Sequence, residues 1–174
     1  MTIETITARI VEEAKRIEND TLYSAKGHYE AANYWKNFHI VIGVPVAMLS
    51  AVAGASALAQ FDNHSIIAGF LSIIVAALTA VITFLNPNEK ASSHQNVGNK
   101  YNALRNKARA FYTIDACEEN SEQELMKRLQ DLTKQRDEIN QISLPIPYRA
   151  YKKAQKTITG KETEKSKHFA HSEV

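Results

Sequence analysis

The groups able to do chemistry in this sequence are few and far apart. Six histidines, His28, His39, His64, His94, His168 and His171, include no pair at the H-x3–5-H spacing of zinc ligands, so no metal residue is assigned. Cys117 is the only cysteine. It excludes a disulfide scaffold, a zinc ribbon and a redox pair, lacks the local signature of a nucleophile, and reads as a small apolar residue near a helix end. No glycine-rich phosphate loop is present, and no set of convergent acids and bases suggests an enzyme, so no catalytic or cofactor residue is assigned. His39 could sense pH beside an apolar run, but a lone histidine there is more often a hydrogen-bonded surface group and receives no role. Two basic patches remain: Lys100, Arg105, Lys107 and Arg109, and then Arg149, Lys152, Lys153, Lys156 and Lys161, each free of acids. Each is either a solvated face or a contact for an anionic ligand or partner. With 21 basic against 19 acidic residues, the overall balance argues against a dedicated nucleic-acid binder.

The elements that must position these groups are of two kinds. The chain has 174 residues, enough for one domain, and all but one of its charged side chains lie outside residues 38–85, the exception being Asp62. Phe38 to Ala59 is an uncharged run of 22 residues and Ile66 to Leu85 one of 20. As helices they extend roughly 33 and 30 Å, the thickness of a bilayer core. The six-residue link between them makes the two antiparallel, and a backbone crossing lipid must satisfy its own hydrogen bonds, so both are read as helices of a transmembrane hairpin. The alternative is a buried helical hairpin of a soluble protein. The link carries no Lys or Arg, whereas Lys26 and Lys36 precede the first run and Lys90, Lys100 and Arg105 follow the second, which predicts cytoplasmic termini. Tyr29, Tyr34, Trp35 and Phe38 sit where aromatic anchors belong, or simply pack between helices.

Small residues recur at every fourth position: Gly43, Ala47, Ala51, Ala55 and Ala59 in the first run, Ala68, Ser72, Ala76 and Ala80 in the second. Such ridges allow close helix approach in lipid. One is expected to close the hairpin, leaving the other for a second copy of the chain. Ser72, Thr79 and Thr83 form a polar stripe near Ala76, suited to lining water in an oligomer or, more simply, to bonding their own i−4 carbonyls. Pro45 removes one helical hydrogen bond and makes a kink or hinge conceivable.

The charged frame reads as long helices. Ile3, Ile6, Ile10, Ala14 and Ile17 give an amphipathic helix running to about residue 37. Asn86, Pro87 and Glu89 fit a helix start, with Asn at the N-cap, Pro at N1 and an acid at N3 reaching back. That helix is expected to reach about Cys117 and break at 118–120. Ser121 with Glu124 opens another, to about Gln141, with a short coiled-coil seam of Leu125, Leu129, Leu132 and Ile139 interrupted by Arg136. The seam could pack within the chain or on a neighbour. The stretch 143–147 (SLPIP) ends it, a last helix runs from about Pro147 to Ile158 and stops at Gly160, and 161–174 reads as a disordered charged tail. If the helix from Pro87 stands upright, Arg105 lies roughly 28 Å from the membrane, far beyond a Debye length of about 8 Å, so anionic lipid is not its partner.

The order of residues carries a resemblance. LNPNEKASSHQNVGNKYNALRNKARAF (Leu85 to Phe111), RDEINQISLPIPYRAYKKAQKTITGKE (Arg136 to Glu162) and the lead-in HYEAANYWKNFHIVIGVPVAMLSAVAG resemble the SLATT family, two-transmembrane domains named for association with SMODS and SLOG modules. The resemblance covers about residues 20–162, and the whole of 1–160 is read as one such domain. Its recognisable motif falls on Asn86, Pro87, Glu89, His94, Tyr101, Leu104, Arg105 and Arg109, read as a coupling element between helices and spans rather than as catalytic groups. What it implies is an all-α, multi-pass protein of the bacterial inner membrane: an effector of a nucleotide-signalled antiphage or conflict system that permeabilises the membrane when activated, without a cofactor. Two helices cannot enclose water, so the expected pore is a homo-oligomer. The basic patches are candidate contacts for a cytosolic sensor or a nucleotide signal. The alternative is a non-conducting, membrane-anchored adaptor whose seam recruits a cytosolic partner.

Overall fold

A computed structural model describes the backbone of residues 3–58, 64–117 and 121–172, and the side chains of 6–58, 66–116 and 121–160. Its elements are α1 (Ile3–Leu58), α2 (His64–Leu85), α3 (Pro87–Thr113), a 3-10 turn (Asp115–Cys117), α4 (Glu122–Ile142) and α5 (Tyr148–Ser172). Among the described residues there is no strand. Ala59, residues 60–63 of the link, the break at 118–120 and the side chains of Cys117 and Lys161 lie outside the described residues, and α2 takes in the last two residues of the link. The chain divides into two compact units, 1–31 with 93–174, and 32–92.

Three helix ends differ from the sequence expectation. The N-terminal helix and the first apolar run are one element, α1, helical through Pro45, because nothing between residues 31 and 38 favours leaving the helix. α3 stops at Thr113 and tightens into the 3-10 turn. α5 passes through Gly160 to Ser172, continuing into the segment read as a charged tail. A glycine stops a helix by adopting the left-handed conformation, and no glycine among the described residues has positive φ.

The helical unit is built on heptad-like spacing. On α3, His94, Val97, Tyr101, Leu104, Ala108 and Phe111 are buried at alternating steps of three and four. All of these but His94 join Ile10, Ala14, Ile17 and Ala25 of α1, and Leu125, Leu132 and Ile139 of α4, in one apolar core. The α4 seam is therefore buried within its own chain. Burying a side chain such as Ile17 or Leu104 contributes about 1.5–3 kcal/mol. Thr21 shares the buried face of α1, and its hydroxyl donates to the Ile17 carbonyl at 2.7 Å, so no polar group is stranded there. α1 and α3 run antiparallel, as the bonds from Tyr29 to Asn99 and from Tyr112 to Glu18 require. At Gly98 the approach is too close for a side chain: an added Cβ would stand 2.8 Å from the Tyr29 ring and 3.4 Å from the Ala25 carbonyl.

Along the two spans the covered or half-covered residues include Ile42, Val46, Leu49, Ala53 and Ser56 on α1, and Ala68, Leu71, Ile74, Val75, Leu78, Ile82 and Leu85 on α2. Both sets step by three and four along one helix face. The small ridges lie elsewhere: Ala47, Ala51 and Ala55 are exposed, as are Ser72, Ala76 and Ala80, with only Gly43 half-covered and Ala68 buried. The expectation that one ridge closes the hairpin is thus corrected. Aliphatic residues at heptad spacing already fill that contact around Ala53 and Ala68, and the other described alanines of both ridges, with Ser72, face outward. So do Val41, Met48, Phe70, Ile73 and Phe84, each at least 65% exposed. The chain buries only 6% of the most apolar 18-residue window in each run, so the hairpin is not the covered core of a soluble fold.

Candidate functional site

The motif residues divide between the two units. In the hairpin unit, Asn86 alone separates α2 from α3. Its φ of 42° is left-handed, a conformation asparagine tolerates better than most residues. Its N–H donates to the Ile82 carbonyl at 3.0 Å, closing α2, while its own carbonyl accepts from the Lys90 N–H at 3.2 Å, opening α3. The Asn86 amide also donates to the Glu89 carboxylate. The acid thus reaches back as expected, but to the side chain of the cap, whose backbone N–H is already engaged with α2. Pro87 is buried at the first position of α3, where its missing N–H is no loss. In the same unit the Lys90 ammonium sits 4.5 Å from the centre of the Trp35 ring, and Trp35 meets Tyr34 and Phe38 edge-on. Tyr29 is not part of this aromatic group; its hydroxyl is bonded to Asn99 in the helical unit.

In the helical unit α3 carries a buried polar seam. His94 and His28, each 2% exposed, lie with their Nδ1 atoms 2.9 Å apart, one ring donating N–H to the other's lone pair. Such a bond places one proton between the two Nδ1 atoms, so at most one of the two rings can carry a charge. Burial, and secondly the charge His94 would carry, pushes His28 down to about 4; burial lowers His94 as well. Tyr101 stacks on His28 with ring centres 5.6 Å apart, and its hydroxyl donates to Asn140 and meets Ser143 at 3.2 Å, joining the end of α4 to the pair. Farther along, Arg105 Nε lies 3.6 Å from Glu18, which also accepts from the Tyr112 hydroxyl at 2.7 Å. That bond to a carboxylate raises the Tyr112 pKa. Arg136, the charged break in the α4 seam, reaches Asp20 at 3.9 Å.

The first basic patch is only partly engaged within the chain. Arg105 is half-buried and engaged with Glu18, while Lys107, which donates to Gln135 at 2.8 Å, stays exposed with Lys100 and Arg109. Sequence spacing missed the histidine pair because 66 residues separate its members. A signal was nonetheless present: His28 opens the lead-in and His94 belongs to the exit motif, the two stretches that carry the resemblance. Of the polar stripe, Ser72 donates to its own i−4 carbonyl, Ala68, at 2.8 Å. Among the described residues no three of His, Cys, Asp and Glu converge as metal ligands would.

Two long apolar helices, uncovered by the chain and joined to a helical unit through a capped junction, define an all-α domain with two candidate membrane spans. Residues 11–169 match the family described as SMODS and SLOG-associating 2TM effector domain family 4, and the chain belongs to that family. It is a family of membrane effectors and not a known enzyme family. No curated protein and no solved structure matches the chain.

Proposed function

We propose that the protein is an effector whose copies assemble in the bacterial inner membrane into a pore or channel, both termini cytoplasmic, and that the helical unit holds the spans closed until a cytosolic signal arrives. The observation that carries this reading is the outward position of both ridges. Since only Gly43 and Ala68 of the two ridges are covered within the hairpin, Ala47, Ala51 and Ala55 on one side and Ser72, Ala76 and Ala80 on the other are available to neighbouring copies. Thr79 and Thr83 are exposed beside the second ridge, where hydroxyls would face water in a ring of hairpins. The motif residues then act as a coupling element: His94, Tyr101 and Arg105 fix α3 within the helical unit, and Asn86, Pro87 and Glu89 transmit its position to α2.

A recruiting adaptor needs a free seam. Leu125, Leu132 and Ile139 are buried against α1 and α3 of the same chain, which removes the surface that reading relied on. The test is leakage from liposomes loaded with an ion indicator and a small dye, read beside the size of the purified oligomer. Ion or dye release from a defined oligomer is expected. Ala76→Leu should abolish both release and assembly while insertion persists, whereas Phe70→Leu, on an apolar lipid-accessible side chain, should alter neither. A monomeric protein in sealed liposomes would sink the proposal.

A further inference from the structure

Within the helical unit the core changes character on α1, α3 and α4 together. On α4 the seam of Leu125, Leu129 and Leu132 meets Arg136 where the spacing calls for an aliphatic residue, and resumes at Ile139. On α1 the buried row of Ile10, Ala14 and Ile17 continues as Thr21. On α3 the buried Tyr101 brings its hydroxyl to Asn140 and Ser143. A cavity of about 200 Å³ lies here, lined by Asp20, Thr21, Ser24, Tyr101, Arg136 and Asn140. Every lining side chain is polar, and all belong to the helical unit. Its volume is below the roughly 300 Å³ at which sites for drug-sized ligands begin, so it suits a small molecule.

A polar residue in a seam can serve only to fix register, and it then finds its partners inside the bundle. Thr21 and Tyr101 do so: the Thr21 hydroxyl donates to the Ile17 and Glu18 carbonyls at 2.7 and 2.9 Å, and Tyr101 donates to Asn140. Arg136 does not. Its side chain is 25% exposed, yet its contacts are long, 3.9 Å to Asp20 and 3.4 Å to the adjacent Asp137. Charge-assisted hydrogen bonds close to about 2.7–2.9 Å. No hydrogen bond among the described residues engages the Ser24 hydroxyl, and Asn140, accepting through Oδ1, keeps its amide nitrogen as a donor. The cavity thus presents one cation and one anion that do not satisfy each other. A ligand of single charge would be drawn by one and repelled by the other. A ligand bearing a carboxylate and an ammonium on one carbon would complete an alternating square of charges, the carboxylate forked on Arg136 and the ammonium on Asp20. We infer that this cavity binds a free α-amino acid whose small polar side chain meets Ser24 and Asn140. The site lies wholly in the helical unit and does not depend on conduction.

The experiment is thermal unfolding of the full chain in detergent with each of the twenty common amino acids in turn, followed by calorimetric titration of any that raises the midpoint. An amino acid present at about ten times its Kd should raise the midpoint by about 3–5 °C. Its analogue without the amine and its analogue without the carboxylate should each bind at least about tenfold more weakly, because each leaves one charge of the pair unanswered. Arg136→Gln and Asp20→Asn should weaken binding by a similar factor. Should either variant fail to fold, the analogues on the unaltered protein still decide. No shift with any amino acid would overturn the inference, and so would full affinity in a folded Arg136→Gln protein. Acetate or inorganic phosphate binding as tightly as the amino acid would also overturn it, assigning the cavity to a simple anion. Guanosine monophosphate raising the midpoint where no amino acid does would overturn it in favour of a nucleobase held by Asp20 and Arg136.

Discussion

His28 and His94 carry the clearest chemical constraint in the chain. A histidine whose folded pKa is lowered from 6.5 to about 4 binds its proton less readily when folded than when unfolded. Stability therefore rises with pH wherever the unfolded chain holds the extra proton. The contribution is fully present above about pH 6.5, is lost as pH falls toward about 4, and is constant below that. At about 1.4 kcal/mol per unit the change is up to about 3 kcal/mol. Thermal unfolding of the protein in detergent should show this loss between those limits. His28→Gln should unfold at a lower temperature at pH 7, because His94 loses its ring partner, and should flatten the pH dependence; an unchanged acid slope would assign the titration to other groups. Neither the pairing nor the shift was legible in residue spacing; the sequence marks His28 and His94 only as members of the two stretches that carry the resemblance. A hydrogen bond across two helices depends on which faces meet, and residue spacing along one helix does not contain that information.

At the scale of elements, local chemistry was most legible where it is self-contained. The Asn86, Pro87, Glu89 break and the Ser121 cap, whose side chain accepts from the Glu124 N–H at 3.3 Å, are decided within four residues and appear where the sequence places them. The stop at Gly160 failed for the complementary reason: a glycine ends a helix only if the following chain gains from turning away. The two glycines Gly98 and Gly160 make this difference measurable, since both are helical and only one is crowded. Gly160→Ala adds a methyl group in open space and should stabilise α5 by up to about 1 kcal/mol through helix propensity alone. Gly98→Ala gains the same propensity but drives its Cβ into Tyr29 against the Ala25 carbonyl, and overpacking of about 1–3 kcal/mol outweighs the gain. Thermal unfolding should therefore move upward for the first variant and downward for the second. Two upward shifts would mean that Tyr29 yields easily and that α1 and α3 are less tightly joined than their contacts imply.

For the whole molecule, the issue is whether the spans act or merely hold the helical unit at the membrane. The apolar runs and their membrane length were legible directly, because lipid imposes a composition that no aqueous core requires over 20 residues. Which faces of the spans meet each other was not, because small ridges and aliphatic heptads are both sound packing surfaces, and only their competition for one contact decides. That the heptads are covered and the ridges exposed gives the spans sequence-specific information beyond hydrophobicity. Replacing residues 39–58 and 66–84 with leucine-rich helices of equal length, while keeping the Asn86 junction and the helical unit, separates the two roles. A pore-forming effector should lose its toxicity on expression even though the replaced protein still reaches the membrane, since no ridge remains to join copies and no hydroxyl remains to face water. An anchored adaptor should keep its full effect, because its partner would read only the helical unit. Retained toxicity with replaced spans would therefore move function out of the membrane, into surfaces such as the exposed groove between α1 and α4 lined by Arg9, Glu13, Arg16 and Met126.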